Sequence, residues 1–508
     1  MDMAEPQLHD TPPIEGQGRP FCPPQARPFV LVSAILASGM GFIDGSVVAL
    51  AIPAIRADLG AGLVDAQWIS NSYMLFLSSL VLLGGAAGDV FGVRTIFAGG
   101  IALFMVTSLA CAVAPDAQWL IVLRAFQGVG AAFMVPGSLA IIAKSYPPAT
   151  RGAAIGTWAA FSSITAAIGP FIGGMVLALG DPWMWRLIFA INGPIALVAL
   201  AMLFMKVPQD RPAERRRLDY LGALLATASL GAFAWGLTAF GLPEFQRLAS
   251  PWVWLLAGAL AAVLFLGWER RAKAPMVKLG LFASKAFSGA NFYTLVLFFA
   301  FTAVLFFLPM TLISAWGARE WEVSLLLLPL SVFIALLSGR AGRFADQEGP
   351  RRILTVGAGL VGVSFAILTL TLPFMRMWTV TFPALSLMGL GMGLLVSPLS
   401  SAVMLAVPDD DTGLASGVNN AVARAAGLIA IAGMGALAGL VFAAAYPDGS
   451  PDYGALIADP GANEAARVAA TNLAFQSVTS VSSVVCFMAA AVAWWTQPSW
   501  KSGQKPLA

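Results

Sequence analysis

Long apolar runs recur along the whole chain with short polar turns between them. Each reaches about 20 residues, enough for a helix to cross roughly 30 Å of hydrocarbon. They fall near 29–53, 66–87, 95–114, 118–142, 152–178, 184–206, 218–241 and 252–268, then near 287–315, 321–341, 352–372, 377–405, 412–444 and 473–496. The pattern predicts fourteen membrane-spanning helices. Composition points the same way: at 508 residues, 58% hydrophobic and 11% charged, the chain carries too few charges to surround a water-soluble core of that size.

Two of the turns share one spacing, Gly-x-x-(Gly/Ala)-Asp-x-x-Gly-x-Arg, 257 positions apart. The first holds Gly85, Asp89, Gly92 and Arg94; the second holds Gly342, Asp346, Gly349 and Arg351. A repeat at the same point of two halves implies two copies of one helical unit, the construction of secondary transporters. The first copy follows helix 2 and the second follows helix 10, a shift of eight helices where a doubled six-helix unit would give six. The surplus pair is placed at helices 7 and 8, between basic loops 206–217 and 270–285. The expected fold is an all-α integral membrane protein with two pseudo-symmetric six-helix bundles, 29–206 and 287–496, and two inserted helices within 207–286; tails 1–28 and 497–508 flank them.

Lys and Arg set the orientation, because short cytoplasmic loops retain positive charge. Even-numbered loops hold Arg94, Lys144, Arg151, Arg340, Arg343, Arg351 and Arg352 besides the two basic loops, whereas odd-numbered loops hold only Arg56, Arg247, Arg319, Arg376 and Arg467. Both termini are therefore expected in the cytoplasm. The loop before helix 13 departs from this rule with Asp409, Asp410 and Asp411, read as a cap on a helix dipole or else as a cytoplasmic gate contact. The outer loop 445–472, acidic and rich in Gly, Pro and Ala, reads as a lid or as a hairpin facing a periplasmic adaptor protein. A net charge of +3 gives no reason to invoke nucleic acid. Cys22, Cys111 and Cys486 are too scattered for a metal cage or disulfide framework, and His9 stands alone in a tail with no apolar core, so neither a metal site nor a cleavable signal is expected.

Asp44 is the most informative single residue, about 14 Å from the outer end of helix 1 at about 1.5 Å per residue. A carboxylate at that depth must be paired or protonated and is functional by default. Burial disfavours a charged carboxyl and a nearby cation restores it, so such a group can exchange a proton as its surroundings change. Arg124 and Gln127 on helix 4 share its depth band, roughly 9 Å and 14 Å from the outer end. Asp44 and Arg124 form the expected proton-coupling pair. In the back half Arg424 stands roughly 18 Å from the cytoplasmic end of helix 13, placed for a cavity or a partner. Apart from Glu322 at the edge of the 321–341 run, no Asp or Glu falls within a back-half span.

These residues carry a resemblance. From about 29 to 496 the chain resembles the fourteen-span drug:proton antiporter family of the major facilitator superfamily. The two matched turns resemble its Gly-x-x-x-Asp-x-x-Gly-x-Arg cytoplasmic gate motif, although Val90 and Gln347 replace the basic residue usual after the Asp, leaving Arg94 as the main polar partner of Asp89. Helix 1 around Asp44 resembles the family's pattern, with Ser46 for Thr and Ala49 for Asn, and Arg124, Gln127 and Gly128 match Arg-x-x-Gln-Gly. Helix 5 resembles the antiporter motif through Gly169, Pro170, Gly173 and Gly174, with Thr165 in place of its first Gly. Trp185 and Arg186 match a further motif, read as an interface anchor and a structural residue. Helix 13 from Gly417 to Gly427 resembles the family's Asn-x-x-Arg-x-x-Gly: Arg424 and Gly427 keep its spacing, while Asn420 stands four positions before Arg424 instead of three. The resemblance implies the major facilitator fold and a cavity lined by Ser46, Gln127, Asn419, Asn420 and Arg424. Phe233, Trp235, Phe292, Tyr293 and Phe298 could line an amphiphile pocket or serve as packing.

The reading that follows is a proton-driven exporter of amphipathic small molecules in the bacterial inner membrane, expected to work as a monomer in the lipid bilayer, with protons as its second substrate and no cofactor. Its embedded charges favour neutral, weakly charged or anionic cargo over dications. Proton-coupled uptake on the same fold is the alternative, disfavoured by the helix 5 motif. A membrane enzyme or sensor lacks an embedded His, a clustered Cys set or a nucleotide-cradling loop.

Overall fold

Apolar runs in a bilayer must satisfy every backbone N–H and C=O internally, which a helix does. The computed structural model describes residues 22–210, 217–446, 451–457 and 463–500, and among them long helices dominate. His9 and parts of the tails and of loops 206–217 and 445–472 lie outside the described residues. The front helices are α1 (Arg27–Leu59), α2 (Leu63–Phe91), α3 (Val93–Ala112), α4 (Ala117–Ser145), α5 (Pro148–Leu177), α6 (Trp185–Ala190) and α7 (Asn192–Lys206). Next come α8 (Tyr220–Ala239) and α9 (Pro251–Glu269). The back helices are α10 (Lys285–Trp316), α11 (Glu320–Glu348), α12 (Pro350–Thr371), α13 (Phe382–Leu405), α14 (Thr412–Ala445) and α15 (Glu464–Thr496). Among the described residues thirteen stretches are long and apolar enough to cross a membrane, with α6 and α7 forming one of them. The remaining expected span is α5, a helix of 30 residues.

The back helices repeat the front contacts. α2 packs on α4 as α11 packs on α13, α3 on α4 as α12 on α13, α1 on α5 as α10 on α14, and α3 on α7 as α12 on α15. The closest crossings run over glycine, as in membrane bundles generally. Gly84 meets the Ala132 carbonyl between α2 and α4; between α11 and α13, a Cβ on Gly389 would stand 2.8 Å from the Leu330 Cα. The two bundles meet along α2 with α14, α5 with α11 and α1 with α10. α8 and α9 form a hairpin that leans through α8 on α2 and α14, with Trp235 set between Trp68 at 5.4 Å and Trp254 at 6.5 Å.

Three local features differ from the sequence expectation. α1 does not stop at Pro53 but carries it inside the helix and continues to Leu59. The sixth span breaks at Ile191 into α6 and α7. Trp185 is no interface anchor: it is fully buried, its indole donating to Asp58 at 3.0 Å, and Arg186 stacks on it and pairs with Asp58 at 3.1 Å. The extension of α1 creates this contact, because Asp58 lies beyond the proline.

The helices alternate in direction, so the start of α1 and the end of α15 share one face, termed the terminal face. On the opposite face the chain is closed. Arg56 donates to the Tyr453 carbonyl at 2.8 Å and pairs with Asp452, whose other oxygen accepts the Leu63 N–H at 2.6 Å. Tyr453 is fully buried, its hydroxyl 2.7 Å from Thr311 Oγ1, and burial pushes that hydroxyl's pKa up. The described part of loop 445–472 thus folds back as a lid on α1, α2 and α10.

Candidate functional site

Asp44 and Arg124 meet in the front bundle, as their depths predict. Arg124 Nη1 lies 2.6 Å from Asp44 Oδ2 and 2.9 Å from Oδ1. Gln127, one turn along α4, donates to Asp44 Oδ1 at 3.1 Å and accepts from Arg124 at 2.7 Å. Arg124 also donates to the Ile69 carbonyl at 3.1 Å and lies over the Tyr73 ring, 4.2 Å from its centroid. Asp44 is 1% exposed and Arg124 2%. A buried pair survives desolvation only when its remaining hydrogen-bonding capacity is met, and here α1, α2 and α4 all supply partners.

The other predicted cavity residues divide. Ser46 Oγ donates back to its own helix, to the Phe42 carbonyl at 2.8 Å, and faces Gly169 of α5. Asn419 donates to Thr294 at 2.7 Å and to Asn291 at 3.3 Å, which ties α14 to α10. Asn420 is exposed and Arg424 half-buried. Arg424 has no hydrogen bond or ion pair among the described residues, yet it is within electrostatic reach of Tyr73, as are Asp44 and Arg124. Asn71, on the α2 face that meets α14, is fully buried with both amide atoms unpartnered. Sequence reading passed over it because an Asn in a span carries no charge to mark it. Of the aromatic candidates, Tyr293 is buried and donates to the Leu354 carbonyl at 3.0 Å, Phe233 packs against Gly258 within the hairpin, and Phe292 is exposed. A cavity of about 520 Å³ between α11 and α13, lined by Pro329, Phe333 and Trp378, is apolar and holds none of the predicted site residues.

The matched turns behave as a pair, but not through the expected bond. Asp89 does not pair with Arg94; it is exposed and lies 3.8 Å from Lys144. Arg94 instead donates to the Leu203 and Phe204 carbonyls at 3.3 and 3.4 Å. Arg351 does the same in the back half, donating to the Gln497 carbonyl at 2.8 Å. Each Arg therefore clamps the last carbonyls of the sixth span of its bundle, where the helix dipole is negative. Gly92 and Gly349 take φ of 94° and 86°, values only glycine adopts freely, so that the chain can turn directly into α3 and α12. The N–H groups of Val93 and Arg94 are received by Asp210 at 2.8 and 3.0 Å. Gly85 meets Pro136 of α4 and Gly342 meets Ser397 of α13, while Asp346 offers its carbonyl to the Trp500 indole at 3.3 Å.

The α5 motif sits where the bundles touch. Gly169 and Gly173 seat α5 on Ile43 and Val47 of α1, and Gly174 faces Ser324 of α11. Ser324 donates to the Pro170 carbonyl at 2.8 Å. With Gln67 donating to the Ile431 carbonyl at 2.6 Å and the Arg56 contacts, the side-chain bonds joining the two bundles among the described residues all lie toward the face opposite the termini. The carboxylates before α14 supply no side-chain cap; Asp411 pairs with Lys278 of the hairpin's exit loop at 2.6 Å.

Residues 34–431 match the family model described as Major Facilitator Superfamily. The chain belongs to that superfamily. It is 30% identical over 411 residues to multidrug resistance protein Stp of Mycobacterium tuberculosis (strain CDC 1551 / Oshkosh), covering 79% of this chain and 75% of that protein. It is 32% identical over 410 residues to the methylenomycin A resistance protein of Bacillus subtilis (strain 168), covering 79% and 86%. It is 30% identical over 459 residues to the tetracenomycin C resistance and export protein of Streptomyces glaucescens, covering 87% and 81%. Among solved structures, a bacterial homologue of the human lysosomal transporter Spinster in an inward-facing, unoccupied conformation aligns with a TM-score of 0.68 at 16% identity, over 93% of this chain and 97% of that one. A D-xylose–proton symporter aligns with a TM-score of 0.62 at 15% identity, over 92% and 98%. The transporter is thus a multi-pass membrane protein of this fold and not an enzyme.

Proposed function

We propose that this transporter exports amphipathic small molecules across the bacterial inner membrane in exchange for protons, as a monomer with both termini cytoplasmic. The observation that carries the coupling is the Asp44–Arg124–Gln127 cluster, an ionisable carboxylate of α1 wholly inside the front bundle and bonded to two side chains of α4. A proton arriving from outside neutralises Asp44 and weakens its hold on Arg124, which loosens α1 from α4 and favours cargo release outward. Loss of that proton to the cytoplasm restores the pair and resets the cycle. The drug-resistance names of the relatives support the cargo class, and Arg424, a mid-membrane cation with no ion pair among the described residues, disfavours dications. The matched turns then act as cytoplasmic gate hinges, with Arg94 and Arg351 as their clamps. The lid built by Asp452 and Tyr453 would meet any periplasmic adaptor.

The test is transport into inverted vesicles across a compound panel, following internal pH, with wild type and Asp44→Asn. Export that stops when the gradient is collapsed, with the variant uncoupled, supports antiport. Cargo that moves equally well without a gradient sinks it.

A further inference from the structure

A second pair of buried carboxyls lies at the terminal-face end of the α8–α9 hairpin. Asp219, the residue before α8, is 8% exposed, and Glu269, the last residue of α9, is 4% exposed. Asp219 Oδ1 accepts the Gly222 N–H at 2.8 Å and the Trp268 indole N–H at 2.7 Å, and Glu269 Oε2 accepts the Val277 N–H at 3.0 Å. The other two oxygens, Asp219 Oδ2 and Glu269 Oε1, are buried and without a partner. They converge: a Cβ on Gly222 would stand 2.6 Å from the first and 2.8 Å from the second.

The charge acting on Glu269 is that of Asp219, and no Lys or Arg among the described residues acts on it. An apolar cluster packs at this corner, with Leu80, Leu82 and Leu83 from α2, Leu218 and Ala223 beside and within α8, and Met276 and Val277 from the exit loop. Of the basic residues nearest in sequence, Arg217, Arg270, Arg271 and Lys273 are exposed, Lys278 is held by Asp411, and Arg211, Arg215 and Arg216 lie outside the described residues. Two ionised carboxyls cannot share a dry site without a cation, because like charges at this range disfavour double ionisation.

We propose that Asp219 and Glu269 form a proton-binding site, with one proton held between their two facing oxygens. The protonated carboxyl donates its O–H to the other carboxylate, which gives both orphaned oxygens a partner and leaves the pair with one negative charge, received by the Gly222, Trp268 and Val277 N–H groups. The site stands apart from the Asp44 cluster and does not depend on the export reading. It pins the start of α8 to the end of α9. Through Val277 and its neighbour Lys278 it also reaches Asp411 before α14, so loss of the proton would push the hairpin ends apart and displace the loop that runs to the back bundle.

The experiment is an infrared pH titration of the purified full-length transporter, following the C=O stretch of protonated carboxyls in wild type, Asp44→Asn, Glu269→Gln and Asp219→Asn. The expected result is a protonated-carboxyl band at neutral pH that survives Asp44→Asn, disappears in Glu269→Gln and Asp219→Asn, and fades in wild type as pH rises. Thermal stability should fall over the same alkaline range in wild type and much less in Glu269→Gln. A wild type with no such band at neutral pH overturns the proposal without recourse to any variant. So does stabilisation of wild type, but not of Glu269→Gln, by added sodium or calcium ions at fixed pH, which would assign the site to a metal cation.

Discussion

Asp44→Asn removes one charge from a fully buried pair while preserving side-chain volume. Deleting one partner of such a pair costs about 3–5 kcal/mol, chiefly because the other charge is left uncompensated. Arg124 would keep its bonds to the Ile69 carbonyl at 3.1 Å and to Gln127 at 2.7 Å, and its place over Tyr73. Hydrogen bonds to a charged group contribute about 1.5–3 kcal/mol each and a desolvated cation–π contact about 2, so the loss should fall toward the low end, about 3 kcal/mol. Asp44→Asn with Arg124→Gln removes both charges, and its stability should return most of the way to wild type. Tryptophan fluorescence on heating in detergent measures both variants, and gradient-driven export in inverted vesicles should be lost in both. If the double variant is no more stable than Asp44→Asn alone, the pair is not the energetic unit its geometry indicates. If Asp44→Asn still exports under full gradient control, coupling lies elsewhere.

Asp210→Asn weakens the acceptor for the Val93 and Arg94 N–H groups at the start of α3, and a loss of about 1–2 kcal/mol, in the range of a helix cap, is expected in the same melting assay. Gly174→Ala places a Cβ 2.9 Å from the Glu320 carbonyl oxygen and 3.0 Å from Ser324 Cβ, which should part α5 from α11 on the closed face. A cysteine introduced at the buried Val323 should then label faster with an impermeant thiol reagent applied from that side, on a background of native cysteines that are all buried. Unchanged labelling would mean that the α5 motif does not seal that face.

The spans were legible because a run of apolar residues in hydrocarbon has few alternatives to a helix, and the break of the sixth span left them unaffected. Asp44, Arg124 and Gln127 were legible for a related reason: charge inside such a run must find charge, and equal depth on neighbouring helices narrows the choice. What escaped depends on loops folding back. Asp210, Asp58 and Asp452 each read as an ordinary loop or helix-end carboxylate, and only the folded chain sets them against α3, Trp185 and Arg56. Arg94 reads as the partner of Asp89 because Val90 replaces the basic residue usual after that Asp, but the carbonyls closing α7 take the guanidinium once the bundle forms. Asp219 and Glu269 stand 50 positions apart, and nothing in the spacing announces that a hairpin brings them together.

The sign of the charge at Arg424 separates exchange from co-transport. Asp44, Arg124 and Arg424 all act on Tyr73, so they share one electrostatic neighbourhood, with one negative and two positive groups. Neutralising Asp44 makes that neighbourhood more positive. Charges roughly 10 Å apart at an effective dielectric of about 20 interact by about 1.7 kcal/mol, more than tenfold in affinity. An acidic cargo whose anion sits on Arg424 should therefore bind Asp44→Asn, the stand-in for the protonated state, more tightly than wild type. A proton that tightens cargo binding favours co-transport, by the reciprocity of linked equilibria. Exchange by the proposed cycle instead requires cargo whose affinity falls when Asp44 is neutralised, as expected of a neutral amphiphile held by the shape of the α1–α4 contact. Equilibrium binding of matched neutral and acidic ligands to wild type, Asp44→Asn and Arg424→Gln measures this directly. Export reads out as weaker neutral-ligand binding in Asp44→Asn. An exported acidic ligand that binds Asp44→Asn about tenfold tighter, an effect abolished by Arg424→Gln, would refute the antiport cycle while leaving the fold and the pair intact.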